Sequence, residues 1–376
     1  MNSHSFLSLV AQDLFTRKKG DLKNLVVVFP NRRAGWTFRQ ELLKLVTKPV
    51  WAPEIYSIDD WLIRLSGLHE SDSLTQLAAL FDAYRKHDPQ ALSFSAFLDL
   101  GEILLRDFED IDKYLVDART IFRAVGEFKS FELLFGDPEG DELRNRMEMF
   151  IKAFGKEPSA YQKKWLDIWN RLPEIYSDFH KLLESRSLAT SGMMYRRAAS
   201  LIKSGQLNPF NQETVVFAGF NILTRAEEFV FQELRNQGAA IFYWDYHSFY
   251  LGKYHEAGRF IRKYAEEFPA PLSFSPFPEG SGSFFEPDSQ NQLNILPVTS
   301  NTGQVQFVVN QKWAGEPGRH LIVLSDENLM PDLASAWTAD MGSVNFTAGY
   351  PLSASKPASF LRSFLKVWNE SDQNSG

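Results

Sequence analysis

The chain has 376 residues, 44% of them hydrophobic, enough to build two or three packed domains. A net charge of −7 and a pI near 5.6 exclude a surface that binds nucleic acid all over, so any such contact needs a local basic patch or a partner chain. The absence of cysteine excludes disulfides and thiolate metal sites and fits a cytoplasmic protein. No run approaches the roughly 20 apolar residues of a membrane span. The start, Met1-Asn2-Ser3-His4-Ser5, carries no basic region followed by an apolar run, so no secretion signal is expected.

In chain order, Phe6, Leu9, Val10 and Leu14 predict an amphipathic helix over 5–17. The β-branched run Leu25-Val26-Val27-Val28-Phe29 predicts a strand buried on both faces. Pro30-Asn31-Arg32-Arg33-Ala34-Gly35 reads as a basic turn, with a helix following over about 35–46. Residues 57–205 read as nearly all helix. Three apolar stripes define it: Leu74, Leu77, Leu80, Phe81 and Tyr84; then Phe94, Phe97, Leu98, Leu104 and Leu105; then Trp165, Ile168, Trp169, Leu172, Ile175, Tyr176 and Phe179, bent or split at Pro173.

Strands are expected again at Thr214–Ala218 and Ala239–Trp244, with a helix through Glu227 and Leu234 between them. Residues 269–292, dense in Pro, Ser and Gly, read as a linker. Beyond it, Asn294–Val298, Leu321–Leu324 and Val344–Thr347 read as strands of a second α/β unit, with helices near 302–312 and 357–368. With so few strands that unit looks incomplete, as in a piece of a longer protein.

The chemistry is first a matter of exclusion. A phosphate-binding loop needs Gly-x-x-x-x-Gly-Lys-Ser/Thr, whose amides wrap phosphate while Lys and hydroxyl meet phosphate and magnesium. Gly155-Lys156 and Gly252-Lys253 have neither the earlier glycine nor the hydroxyl. The strand 214–218 ends in Ala218-Gly219 instead of a magnesium-binding acid, and Asp245 after the next strand reads as a cap or turn residue. The histidines lack metal-site spacing, His255-Glu256 included. The acidic stretch Asp107, Glu109, Asp110, Asp112 and Asp117 lacks an EF-hand glycine and reads as a solvated helix face. Asp326 reads as a helix cap. No cofactor is expected.

One feature points to a ligand. Asn31, Arg32 and Arg33, with Trp36 and Arg39, open a helix directly after a buried strand. Helix-start amides reinforced by arginines can hold a nucleic-acid phosphate, and an indole can stack on a base. Equally, the arginines can be solvated and Trp36 can pack in the core. Arg196, Arg197 and Arg225 are weaker candidates, solvated by default.

Val28-Phe29-Pro30-Asn31-Arg32-Arg33-Ala34-Gly35, Trp51-Ala52-Pro53-Glu54-Ile55-Tyr56-Ser57-Ile58-Asp59-Asp60 and Val216-Phe217-Ala218-Gly219-Phe220-Asn221 resemble, in order, segments of the AddB-like subunits of the AddAB/RecBCD class, in the form found in Bacteroidetes-type bacteria. Residues 294–309, 321–329 and 344–351 resemble the opening of a second motor domain. The resemblance implies a P-loop NTPase-like, superfamily 1 helicase-like α/β fold with a parallel-sheet core. Its first domain would comprise 1–56 and 206–268, with a helical insertion at 57–205 and the start of a second α/β domain at 293–376. Ala218 stands where active relatives carry aspartate, so both ATPase parts would be missing. The resemblance also implies double-strand-break end processing, single-stranded or forked DNA as ligand, an AddA-like motor-nuclease partner, no membrane, and a PD-(D/E)XK nuclease domain further along a longer chain. In related inactive helicase domains this surface scans single strands for a recombination signal. A partner-docking module that does not touch DNA, and a degenerate ATPase or nuclease, are the alternatives.

Overall fold

The run Leu25–Phe29 forms β1, and all five residues are buried. In the computed structural model, which describes residues 5–88, 92–126, 160–206, 214–276, 294–311, 320–338, 341–347, 349 and 352–373, the chain divides into two compact units, 1–281 and 282–376. In the first unit β1 is flanked by β2 (Glu54–Ser57) and β5 (Thr214–Ala218), and β6 (Ala240–Tyr243) extends the sheet in the order β2-β1-β5-β6. All three pairings are parallel, with Phe29 opposite Ser57, Val28 opposite Phe217 and Ala218 opposite Tyr243. The protein is therefore α/β, with a four-stranded parallel sheet and many helices.

Alternate side chains of these strands enter two different cores, as the twofold period of a strand requires. Val26, Val28, Val215, Phe217, Phe242 and Trp244 face a cluster completed by helices α3 (Ile58–Ser66), α8 (Ser191–Lys203), α9 (Arg225–Asn236) and α10 (Arg259–Glu267). Val27, Phe29, Val216, Ala218 and Tyr243 face Val10, Leu14, Phe38 and Leu42 of α1 (Phe6–Arg17) and α2 (Arg32–Leu45). Coverage on both faces explains the continuous apolar runs.

Between β2 and β5 lies the helical block, with its own core of Leu80, Tyr84, Phe97, Phe108, Ile175 and Phe179. It comprises α4 (Ser73–His87), α5 (Phe94–Lys113), α6 (Ala118–Gly126) and α7 (Ala160–Glu184). Two short strands, β3 (His69–Glu70) and β4 (Leu188–Ala189), pair in parallel and close it. The block's ends are not separate from the sheet, because α3 and α8 pack on it. Helix α7 runs unbroken through Pro173, with Leu172, Ile175, Phe179 and Leu183 buried around it. Proline deletes one helical hydrogen bond, and the burial of these neighbours outweighs that loss. Leu74, expected in the first stripe, is instead 63% exposed. Trp165 and Ile168 lie outside the described side chains.

Two further expectations differ. The start of the expected linker is docked on the first unit: Phe274 packs edge-on against Tyr243 at 4.8 Å, and Ser273 Oγ donates to Asp13 at 2.9 Å. In the second unit, Val305, Val309, Leu329 and Leu333 form a small core between α11 (Asn301–Val309) and α12 (Met330–Ala336). Among the described residues of this unit no strand forms. Segments 294–298, 321–324 and 344–347 are irregular, and Ile295, Leu321 and Val323 are largely exposed. A strand needs a ladder partner, and none of these segments has one. Helix α13 (Lys356–Gln373) runs past the expected end at 368.

Candidate nucleic-acid interface

All four strands run the same way, so their carboxyl ends share one edge of the sheet, where ligands of open α/β sheets bind. At this edge β1 gives way to Pro30 and Asn31. Asn31 is the N-cap of α2: its Oδ1 accepts from the Ala34 amide at 2.9 Å. Helix α2 therefore begins at Arg32 rather than near Gly35, and the expected basic turn is the helix's first turn. Gly35 lies under Ile55 and lets the helix sit close on β2.

Residues 33, 36 and 39 follow helical spacing, so their side chains share one face of α2. Trp36 is 64% exposed and lies outside the core. Arg33 and Arg39 are exposed and, among the described residues, make no ion pair. Arg32 is engaged. Its Nε and Nη2 donate to the two carboxylate oxygens of Asp60, at 2.8 and 2.5 Å. Asp60 also accepts from Ser57 Oγ at 2.7 Å, and Ser57 in turn caps α3 through the Asp60 amide. The Arg32 hydrogen bonds, with help from Ser57, hold the Asp60 carboxyl down at about 2. The neighbouring Asp59 accepts from Tyr195 Oη at 2.6 Å. Two consecutive acids thus tie α3 to α2 and to α8.

The weaker arginine candidates have structural work. Arg196 donates to Asp112 at 2.6 Å and to the carbonyls of Ile111 and Val116 at 2.7 Å. Arg197 donates to the Ser66 carbonyl at 3.0 Å, and Arg225 pairs with Glu228. The acidic stretch is likewise not one solvated face. Asp112 is fully buried, accepting from Tyr176 and Arg196, with His180 Nε2 at 3.2 Å. Glu109 pairs with Lys113, and Asp117 caps the start of α6 through Thr120. Helix period alone could not distinguish Asp112, because its partners come from helices 64 or more positions away.

At the ends of β5 and β6, Ala218 is completely buried. Gly219 turns the chain away with φ +77°, a conformation that L side chains rarely adopt. A 240 Å³ cavity opens here, lined by Gly219, Asn221, Asp245, Tyr246, Tyr250 and Gly258 among others. The segment that walls it had a readable signal. Between Tyr246 and Tyr264 stand four cations, Lys253, Arg259, Arg262 and Lys263, against the single acid Glu256, interleaved with six aromatics. Single-strand-binding surfaces use such interleaving, but here Arg259 pairs with Glu256, Lys263 with Glu228, and Arg262 donates to the carbonyls of Tyr250, Gly252 and His255. Compared with known proteins, the chain matches no family model, and no curated protein is significantly similar to it.

Proposed function

We infer that the chain is a non-catalytic, helicase-like module that holds single-stranded or forked DNA, of the kind that AddB-like subunits contribute to double-strand-break processing beside a motor-nuclease partner. The observation that carries this reading is the exposed face of α2. Arg33, Trp36 and Arg39 stand exposed along the helix that opens at the carboxyl edge of a parallel sheet, on a body whose net charge is otherwise acidic. The geometry pairs helix-start amides and guanidinium groups for phosphates with an indole for a base. The β1–α2 junction is Pro-Asn-Arg-Arg where an ATPase would carry a glycine-rich loop, and Ala218 offers no carboxylate for magnesium. Both support DNA holding without ATP hydrolysis.

The test is fluorescence anisotropy of the chain with a labelled single strand across a salt series. Arg33→Ala/Arg39→Ala removes two phosphate contacts and flattens the slope of log K against log salt by roughly 1.4, from the ~0.7 expected per single-strand contact. Trp36→Ala weakens binding by about 1–3 kcal/mol, the usual worth of base stacking. An unchanged slope in the double variant rejects the interface.

A second reading, partner docking, draws on helix α13. Phe360, Leu361, Phe364, Leu365, Val367 and Trp368 are each more than half exposed, far more apolar side chain than a solvated helix carries.

A further inference from the structure

Helix α13 sorts its residues by side. Phe360, Leu361, Phe364, Leu365, Val367 and Trp368 recur at helical spacing and fall on one stripe, and each is more than half exposed. Ser359, Arg362, Ser363 and Lys366 take the other side, where Arg362 Nη2 donates back to the Ser353 carbonyl of the preceding turn, Leu352–Ala354, at 2.5 Å. The polar side is thereby tied to its own unit, and the stripe is left facing water. An aromatic side chain alone carries roughly 150–250 Å² of surface, so three rings and three aliphatic side chains reach the few hundred Å² at which an exposed apolar patch marks an interaction site.

The charges on this helix say what covers the stripe. Its first eleven residues carry Lys356, Arg362 and Lys366 and no acid, and its last four carry Glu370 and Asp372 and no base. That order opposes the helix's own dipole, which favours acids at the amino end and bases at the carboxyl end. It suits an antiparallel neighbour of the same sequence, whose acids lie beside Lys356 and whose bases lie beside Glu370. The register is equally specific. Lys356, Ser363 and Glu370 stand seven positions apart, a spacing that keeps them along one edge of the stripe, beside Val367. When two copies of a helix pair antiparallel across a twofold axis, each edge meets the same edge of the other copy in reverse order. With Ser363 at the axis, Lys356 of each copy meets Glu370 of the other, and on the opposite edge Leu361 meets Leu365. A parallel pair would instead align the dipoles and gather like charges at each end.

We propose that α13 is a self-association surface: two copies of the chain pair antiparallel through the Phe360–Trp368 stripe, with Lys356 of each copy against Glu370 of the other. The inference gives the partner-docking reading of this helix its occupant and rests on that reading; it is independent of DNA binding at α2. One helix pair covers less than the roughly 800 Å² per partner of a standard interface, so the dimer is weak and reversible, with a Kd on the order of micromolar.

The experiment is sedimentation equilibrium of the full chain from nanomolar to high micromolar concentration, which shows a monomer becoming a dimer across the micromolar range. Phe360→Ser/Leu361→Ser abolishes the dimer and leaves the melting temperature of the dilute chain unchanged, because both side chains are already exposed in the monomer. Lys356→Glu and Glu370→Lys each weaken dimerisation by about 2- to 30-fold, the effect of losing two exposed ion pairs, and the two reversals together on one chain restore it. Restoration is the outcome that unspecific apolar association does not give. Dimerisation that ignores both single reversals, or that the double reversal fails to restore, overturns the pairing. A chain that stays monomeric throughout also overturns it. If the α13 stripe of that monomer still binds a hydrophobic dye, the partner-docking reading stands; if it binds none, both fall.

Discussion

Arg32 and Arg33 are neighbours in sequence but not in circumstance. Arg32 is held by both oxygens of Asp60, while Arg33 is unpaired among the described residues. An exposed pair of this kind contributes little to stability, so a phosphate can compete for the guanidinium. Asp60→Asn therefore releases Arg32, and the single-strand salt slope steepens by roughly 0.7, one added contact. The same substitution changes acid behaviour. Asp60 has a folded value of about 2, below the ordinary 3.8, so its contribution is fully present above about pH 4 and is lost as pH falls towards 2. Asp178, held down to about 2 by Lys86 and His87, shares that window. In the Asp60→Asn variant, the loss of stability between about pH 4 and 2, followed by urea melts, is shallower than in the native chain. Sequence offered the arginines and the indole at their spacing. It could not offer Asp60's grip on Arg32, because that pair spans 28 positions and depends on β1 and β2 lying side by side.

At the scale of elements, the strands β1, β5 and β6 were legible because continuous β-branched and aromatic runs have few other uses than a sheet covered on both faces. The helical block was legible as helices but not as an assembly. Its central polar feature is Asp112, which joins α5 to α7 through Tyr176 and His180 and to α8 through Arg196. Removing the carboxylate leaves the Arg196 guanidinium half-buried without its charged partner. Asp112→Ala is expected to cost about 3–5 kcal/mol, the range for breaking a buried ion pair. Asp112→Asn, which keeps the shape and one acceptor, costs less. Chemical denaturation of the two variants checks the order, and equal, small losses would mean that the network contributes only to packing. The expected strands of the second unit were misread for a reason of the same scale. Leu321-Ile322-Val323-Leu324 has strand composition, but composition supplies no partner, and Leu321 and Val323 remain exposed.

For the molecule as a whole, charge and apolar surface are unevenly shared. The body is acidic, while cations gather between Tyr246 and Tyr264, with Arg33 and Arg39 free on α2. Both regions lie in the first unit, at or after the carboxyl ends of its strands. The second unit presents the apolar face of α13. That face is expected to bind a hydrophobic dye under native conditions, and Phe360→Ser/Leu361→Ser/Val367→Ser is expected to remove most of the dye signal without lowering the melting temperature, because these side chains are already more than half exposed. A fall in melting temperature would mean that the helix is packed in solution.

The pairing of β1 with β5 sets a timetable for synthesis. Val26 lies beside Val215, 189 positions later in the chain. A ribosome adding about 5–20 residues per second needs on the order of 10–40 s to deliver that partner. Until then β1 has only β2 for a neighbour, and the backbone edge that will pair with β5 is uncovered. The helical block is made entirely within this interval. All of its residues are made before β5, so it can fold first, and once folded it holds α3 and α8 against each other, shortening the loop that β5 must close. The helical block can thus serve during synthesis as a splint for the sheet that it interrupts.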